Sequence, residues 1–390
     1  MAPTDVFSQA SEYCAVVVRI FGISIVVSVI SLVVAFLYGG IEALILCAVL
    51  GIFEVSLSFD NAVINATVLR RMSEFWQKMF LTIGILIAVF GMRLVFPLVV
   101  VWITAGLDPF RALDIALNPP AGDAAYFADG SPSYETALTA AHPQIASFGG
   151  MFLMMLFLNF IFIEREIHWL SWLERPLGKA GKLDQLAVVT ALTFLVLAAE
   201  FLADDAHRST VLLAGVLGIG TYILVNGLGS MFEVDADPED DNTAPPGAGG
   251  PTKLALATGK AGFFLFLYLE VLDASFSFDG VIGAFAITSD PIIIALGLGF
   301  IGAMFVRSIT IFLVRKGTLS DYVYLEHGAH WAIGALAFIL LISLGVHVNE
   351  LITGLIGVVL IGAAFASSII RNRRVLKNDA DDSMSVGQSG

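Results

Sequence analysis

Two short segments, 219 residues apart, carry matching chemistry. The first is Glu54-Val55-Ser56-Leu57-Ser58-Phe59-Asp60-Asn61 and the second is Asp273-Ala274-Ser275-Phe276-Ser277-Phe278-Asp279-Gly280. Ser56 and Ser275, Ser58 and Ser277, Phe59 and Phe278, and Asp60 and Asp279 are identical pairs, while Glu54 and Asp273 match as acids. An arginine follows each segment: Arg93 lies 33 residues beyond Asp60, and Arg307 lies 28 beyond Asp279. All four acids stand in apolar runs. A carboxylate in hydrocarbon costs several kcal/mol, so each is a functional candidate.

The spacing says which side chains can act together. Glu54, Ser58, Asn61 and Asn65 fall on one helical face, and Glu270, Asp273 and Ser277 form the comparable stripe. Acids six residues apart point about 240° apart on an ideal helix. Glu54 and Asp60, or Asp273 and Asp279, therefore meet one ligand only if the helix unwinds, or else they serve different partners. Gly280, Gly283 and Asn61 make local unwinding plausible. Hard oxygen donors suit Mg²⁺, Ca²⁺ or Mn²⁺. Neither motif contains Cys, Met or His, which weighs against Cu⁺ and, less strongly, Zn²⁺. Four carboxylates and two arginines sum to a charge of −2, which one divalent cation neutralises. An empty site of this kind takes up protons, which points to a carrier exchanging metal for H⁺.

The elements that must position these residues are membrane helices. Of 390 residues, 57% are hydrophobic and 14% charged, with 30 phenylalanines and a mean hydropathy of +0.87. Charged residues make up roughly 25% of a typical soluble domain. Such a composition excludes a disordered chain and leaves too little polar surface for a water-soluble fold. The net charge of −14 argues against nucleic acid and against an anionic-lipid-binding surface. Cys14 and Cys47 offer neither a disulfide framework nor a thiolate metal site. Met1–Tyr13 holds acids and no basic residue, a poor secretory signal, so the chain reads as mature from Met1.

A spanning helix needs about 20 apolar residues. About ten candidates follow, near 16–37, 41–65, 79–103, 145–163, 187–203, 209–229, 260–287, 292–314, 331–347 and 349–370. With ten spans, 14 loop Lys and Arg residues fall on one side, and only Arg111 and Arg208 on the other. By the positive-inside rule both termini are cytoplasmic. Residues 104–143 read as an external loop, 230–259 as a disordered acidic cytoplasmic linker and 371–390 as a polar tail. The first membrane half is thus 1–229 and the second 260–370. Five spans separate the motifs, so the copies cross the membrane in opposite directions. The expected fold is an all-α polytopic membrane protein with an inverted-topology repeat, as in secondary transporters.

The run from Asp273 through Asp279 to Phe285-Ala-Ile-Thr-Ser-Asp-Pro291 resembles the second signature of the TerC superfamily of tellurium-resistance membrane proteins. Glu54 with Ser58-Phe-Asp-Asn-Ala62 is similar to the first signature. Length and the Tyr324–His330 segment suggest the uncharacterised long bacterial branch. The resemblance covers spans two, three and seven to nine. It implies a cation exporter of the bacterial cytoplasmic membrane, with Mn²⁺ favoured and Ca²⁺ next. Carried over, the ligand positions are Glu54, Asp60, Asn61, Asp273 and Asp279. Gly280-Val-Ile-Gly283 stands where many relatives have Ser-Ile-Pro-Ala, so the expected helix break lacks its proline. No prosthetic group is implied.

Ser58 and Ser277 serve either as auxiliary ligands or as interhelical hydrogen-bonding groups, as does Asn65. Glu270 is a proton site or a snorkelling group. Glu200, with Asp204 and Asp205, is an interfacial cluster or an exit vestibule. Arg93 and Arg307 are counter-ions first, since Arg keeps its charge. Glu326, His327 and His330 have metal-like spacing but sit at the inner membrane edge, where an interfacial role is expected. An intramembrane protease is disfavoured, because both aspartates follow Ser-Phe and no Gly-x-Gly-Asp or Gly-x-Ser-Gly element is present. The competing class is a membrane scaffold for a metal or tellurite stress-response complex, without transport activity.

Overall fold

The computed structural model describes residues 3–57, 59–95, 98, 99, 101, 102, 106, 108–120, 124–233, 256–285, 287, 288, 290–315, 322–346, 348 and 350–387. These residues form helices and their connections, with no strand among them beyond two isolated bridges. In chain order the helices are α1 (Pro3–Leu57), α2 (Phe59–Leu69), α3 (Glu74–Met79), α4 (Pro109–Leu117), α5 (Tyr134–Ala140), α6 (His142–Ile161) and α7 (Ser171–Ala180). There follow α8 (Leu186–Phe201), α9 (Arg208–Glu233), α10 (Gly259–Phe285), α11 (Pro291–Ile294), α12 (Ala303–Arg315), α13 (Leu325–Ile342) and α14 (Glu350–Gly387). Three π-helical stretches, Phe80–Gly84, Ile87–Val95 and Ala295–Gly302, continue α3 and α11.

Among the described residues, six helices are long and apolar enough to cross a membrane: Ile20–Val55, His142–Ile161, Arg208–Leu228, Pro291–Val314, Leu325–Ile342 and Leu355–Arg374. Along α1, Val26, Val29, Ile30 and Val33 are all more than half exposed. Such an apolar flank has no aqueous rationale and is a surface for lipid. The protein is membrane-embedded.

The first of these segments does not run straight. Gly39 and Gly40 leave helical geometry, and Gly40 has φ 71°, a conformation that L residues with a Cβ rarely adopt. The contacts on either side run in opposite senses. Ser308 donates to the Ile20 carbonyl at 3.0 Å, and Ser24 donates to the Met304 carbonyl at 2.6 Å, so this arm lies antiparallel to α12. Beyond the glycines, Gly297 lies against Cys47 and Leu50, Gly51 against Ile301, and Glu54 against Gly302. There the two chains climb together. The chain therefore reverses at Gly39–Gly40, at the boundary read from sequence between residues 37 and 41.

Two apolar cores hold the bundle. α6 is hydrophobic all round and is central to the larger core, where Met151–Leu158 are buried against α9, α10 and α13. The smaller core joins the second arm of α1 to Ala295–Gly302. Two features add to the sequence reading. The loop at 104–143 contains α4 and α5, whose Ala112, Ile115, Ala137 and Leu138 enter the smaller core. Their start signals are plain in hindsight: Asp108 accepts from the N–H groups of Phe110 and Arg111 with Pro109 at the first turn, and Ser133 caps α5. In the polar tail, α14 continues to Gly387. Of the expected disordered linker, residues 234–255 lie outside the described residues, while α9 extends to Glu233 at its start.

Candidate functional site

α1, α2, α10 and the π-helical Ile87–Val95 each bring one polar side chain to a common buried point. Glu54, Asn61, Arg93 and Asp273 are all at most 5% exposed. Arg93 Nη2 forms a short ion pair with Glu54 Oε1 and also interacts electrostatically with Asp273. Asn61 Nδ2 donates to Asp273 Oδ1 at 2.5 Å. Asp273 Oδ2 has no hydrogen-bond partner among the described residues. Nor has either oxygen of Glu270, three residues earlier on α10, nor Oδ1 of Asn65. Buried acceptors left in this state are rare in folded proteins and call for an explanation.

Space for an occupant exists beside them. A cavity of about 20 Å³ is lined by Asn65, Gly84, Arg93, Asp273, Arg307 and Thr310, among others. Its size admits roughly one water or one small ion. Glycine makes the packing around it possible. A Cβ at Gly84 would sit 2.6 Å from Glu270 Oε1, one at Gly280 2.8 Å from Glu54 Oε2, and one at Gly302 2.0 Å from Glu54 Cγ. The π-helical stretches deliver Gly84, Arg93 and Gly302 to the site, as such bulges often do at functional positions. Arg307 reaches the same cavity, and its Nε donates to the Leu81 carbonyl at 3.0 Å.

The predicted residues divide as follows. Glu54, Asn61, Asp273 and Arg93 meet directly, while Arg307 and Asn65 border the same cavity. The backbones of Asp60 and Asp279 are helical, but their side chains, with those of Ser58 and Ser277, lie outside the described residues. α10 runs unbroken from Gly259 to Phe285, so the second motif does not unwind. Among the described residues no group of three or more His, Cys, Asp or Glu side chains is placed to hold a metal ion. Glu200 is not brought to the site: it lies 3.5 Å from Arg208 in a largely exposed pair. Asp290, within the Phe285–Pro291 run, is a helix cap, accepting from Ile292 N at 2.8 Å and Ile293 N at 3.2 Å.

Sequence reasoning missed Glu174, on the amphipathic α7. It is only 4% exposed and accepts from the Trp169 backbone N–H at 2.9 Å and the Trp331 indole N–H at 3.0 Å. His327 Nδ1 lies 3.1 Å from its Oε2. Burial works against the charge, yet the Trp331 hydrogen bond and His327 together hold this carboxyl below the usual glutamate range. His327 and His330 are buried in the protein, and His330 stacks on Phe160 at 3.6 Å. The sequence signals for this network were the spacing of Glu326, His327 and His330 and an acid two residues after Trp172.

No curated protein and no solved structure is detectably similar to the chain. A family model, described as a protein of unknown function (DUF475), matches residues 59–375. That match begins inside the first acidic motif and runs past the last apolar helix, and the chain belongs to the DUF475 family.

Proposed function

We propose that the protein is a secondary transporter that moves a divalent cation across the bacterial cytoplasmic membrane in exchange for H⁺. Mn²⁺ is the favoured cargo, Ca²⁺ the next, and export the direction. Ten spans in two inverted halves, with cytoplasmic termini, are the architecture this reading requires. One observation carries it. Glu54 and Asp273 occupy equivalent positions in the two motifs, and both are buried around Arg93. Equivalent acids converging on one buried point are the expected product of a repeat folded about an internal axis. The motif resemblance to the TerC superfamily points the same way.

In this proposal Arg93 is a built-in surrogate for the cargo. It neutralises Glu54 when no cation is bound, and it must release that carboxylate when one arrives. Asp60 and Asp279 complete the oxygen shell. Glu270 exchanges the proton, because among the described residues it has no hydrogen-bond donor to give up. Glu54, Asp60, Asn61, Asp273 and Asp279 are oxygen donors suited to a hard divalent ion.

The test is the metal content of cells producing wild type, Asp273→Asn or Asp60→Asn under excess Mn²⁺, Ca²⁺, Mg²⁺ or Zn²⁺. A carrier lowers one metal in wild-type cells and in neither variant. If no metal distinguishes them, transport by these acids is excluded and a membrane scaffold becomes the better account.

A further inference from the structure

Asn65 sits one turn beyond Asn61 on α2 and is only 2% exposed. An interhelical hydrogen bond would explain a buried amide, yet among the described residues no donor reaches its Oδ1. Two further oxygens share its surroundings. Asp273 gives one carboxylate oxygen to Asn61 and keeps the other, Oδ2, without a donor among the described residues. Thr310, on α12 and 1% exposed, donates its hydroxyl proton to the Ala62 carbonyl at 3.4 Å, which leaves the lone pairs of Oγ1 to accept.

All three residues line the cavity of about 20 Å³, and they come from three different helices, α2, α10 and α12. Arg93 and Arg307 border it as well, the first paired with Glu54 and the second turned by its Nε to the Leu81 carbonyl. What Asn65, Asp273 and Thr310 offer an occupant is oxygen, one atom charged and two neutral. The volume holds about one water-sized body. An ion that enters must therefore shed its water shell and take protein oxygens instead. Ca²⁺ accepts flexible shells that include Asp carboxylates and Asn carbonyls, whereas Mg²⁺ demands near-ideal octahedral geometry and dehydrates reluctantly.

We propose that Asn65 Oδ1 and Thr310 Oγ1 are ligands of the carried cation, joining Asp273 Oδ2, and that they set its selectivity by replacing water that Mg²⁺ does not give up. The inference rests on the transport reading above and adds two neutral donors to its acids. An amide or a hydroxyl fills a coordination position without adding negative charge. The shell can thus be completed without further repulsion among buried carboxylates.

The experiment uses the purified full chain in neutral detergent. Mn²⁺ binding is followed from the loss of the free-ion EPR signal, with Ca²⁺ and Mg²⁺ as competitors and Asp273→Asn as the control. Wild type is expected to bind Mn²⁺, to yield it to Ca²⁺ and to keep it against equal Mg²⁺. In Asn65→Ala and Thr310→Val the Mn²⁺ affinity should fall by about tenfold or more. The preference over Mg²⁺ should narrow, because Mg²⁺ keeps its own water in either protein. Asn65→Asp and Thr310→Ser retain an oxygen and should retain binding, which a packing role would not produce. The Thr310 pair alone decides the matter if the Asn65 variants do not fold. Mn²⁺ binding that is absent from wild type, or equal in wild type and Asp273→Asn, sinks the transport reading and this inference with it. Binding that is lost in Asp273→Asn but unchanged in Asn65→Ala and Thr310→Val leaves the transport reading standing and overturns this one. An equal fall for Mn²⁺ and Mg²⁺ overturns it too.

Discussion

The amide of Asn61 donates to the carboxylate of Asp273, 212 residues further along the chain. The relationship has a reciprocal partner. Gly280 occupies in the second motif the place of Asn61 in the first, and it abuts Glu54, the equivalent of Asp273. A similar crossing links Gly84 with Glu270 and Gly302 with Glu54. Each motif thus completes the surroundings of the other's acid, and neither half holds a whole site by itself.

The Glu54–Arg93 pair should show strong non-additivity. Removing one partner of a buried pair strands the other charge, at a cost of about 3–5 kcal/mol. Glu54→Gln and Arg93→Gln are each expected to destabilise by roughly this amount, and the double variant by less than their sum. Chemical or thermal unfolding in detergent gives the cycle. Additive single effects would show that the two side chains do not interact.

Gly302 should be intolerant where Gly362 is not. A Cβ at Gly302 would fall 2.0 Å from Glu54 Cγ, whereas one at Gly362 meets nothing within 4 Å. Overpacking typically costs about 1–3 kcal/mol, so Gly302→Ala should lower stability by that much and shift Glu54 off Arg93. Gly362→Ala should stay within about 0.5 kcal/mol of wild type. Equal melting temperatures for the two variants would contradict the packing described.

Glu270→Gln should separate metal movement from proton movement. In proteoliposomes with an imposed pH gradient, wild type is expected to couple metal flux to that gradient. The variant keeps the neutral shape of the side chain and loses the exchangeable proton. Its metal flux should then be unaffected by the gradient. Coupling that persists in the variant would assign the proton to another group.

Glu174 supplies a pH dependence outside the membrane spans. Its folded carboxyl titrates below the unfolded one, so its contribution to stability is fully present above the ordinary glutamate pKa of about 4.3. The contribution is lost as pH falls through the lower folded value. Between pH 5 and pH 3, wild type should therefore lose more stability than Glu174→Gln, which has no charge to lose. Parallel melting curves for the two proteins across that range would rule the network out as the source.

Some of this arrangement was legible in sequence for definite physical reasons. An acid inside an apolar run must be buried with a partner, so Glu54 and Asp273 could be named at once, and the spacing of Glu54, Asn61 and Asn65 put them on one inward face. Gly39–Gly40 interrupts an apolar run too long for one crossing, and the break read there is a reversal. Other features were hidden. Arg93 could be named as a counter-ion, but not the route by which it reaches Glu54, a π-helical stretch whose widened turn upsets the 3.6-residue phase on which facing arguments depend. Glycines that admit a carboxylate carry no side chain to announce the contact. α4 and α5 were masked by the Pro, Gly and Ala content of 104–143, although Asp108-Pro109 and Ser133 are ordinary helix starts.

The reversal at Gly39–Gly40 has a consequence for how the protein is made. Its first arm hydrogen-bonds to Ser308, 284 residues after Ser24. At a synthesis rate of about 5–20 residues per second, that partner leaves the ribosome roughly 15–60 s after Ser24 does. During this interval the opening hairpin sits in the bilayer without the helix it is shaped to fit. Glu54 obtains its arginine sooner, only 39 residues later. The order of emergence thus neutralises the intramembrane acid first and closes the helix packing last. A nascent chain halted before Met304 should therefore depend on chaperone or insertase protection that the finished protein no longer needs.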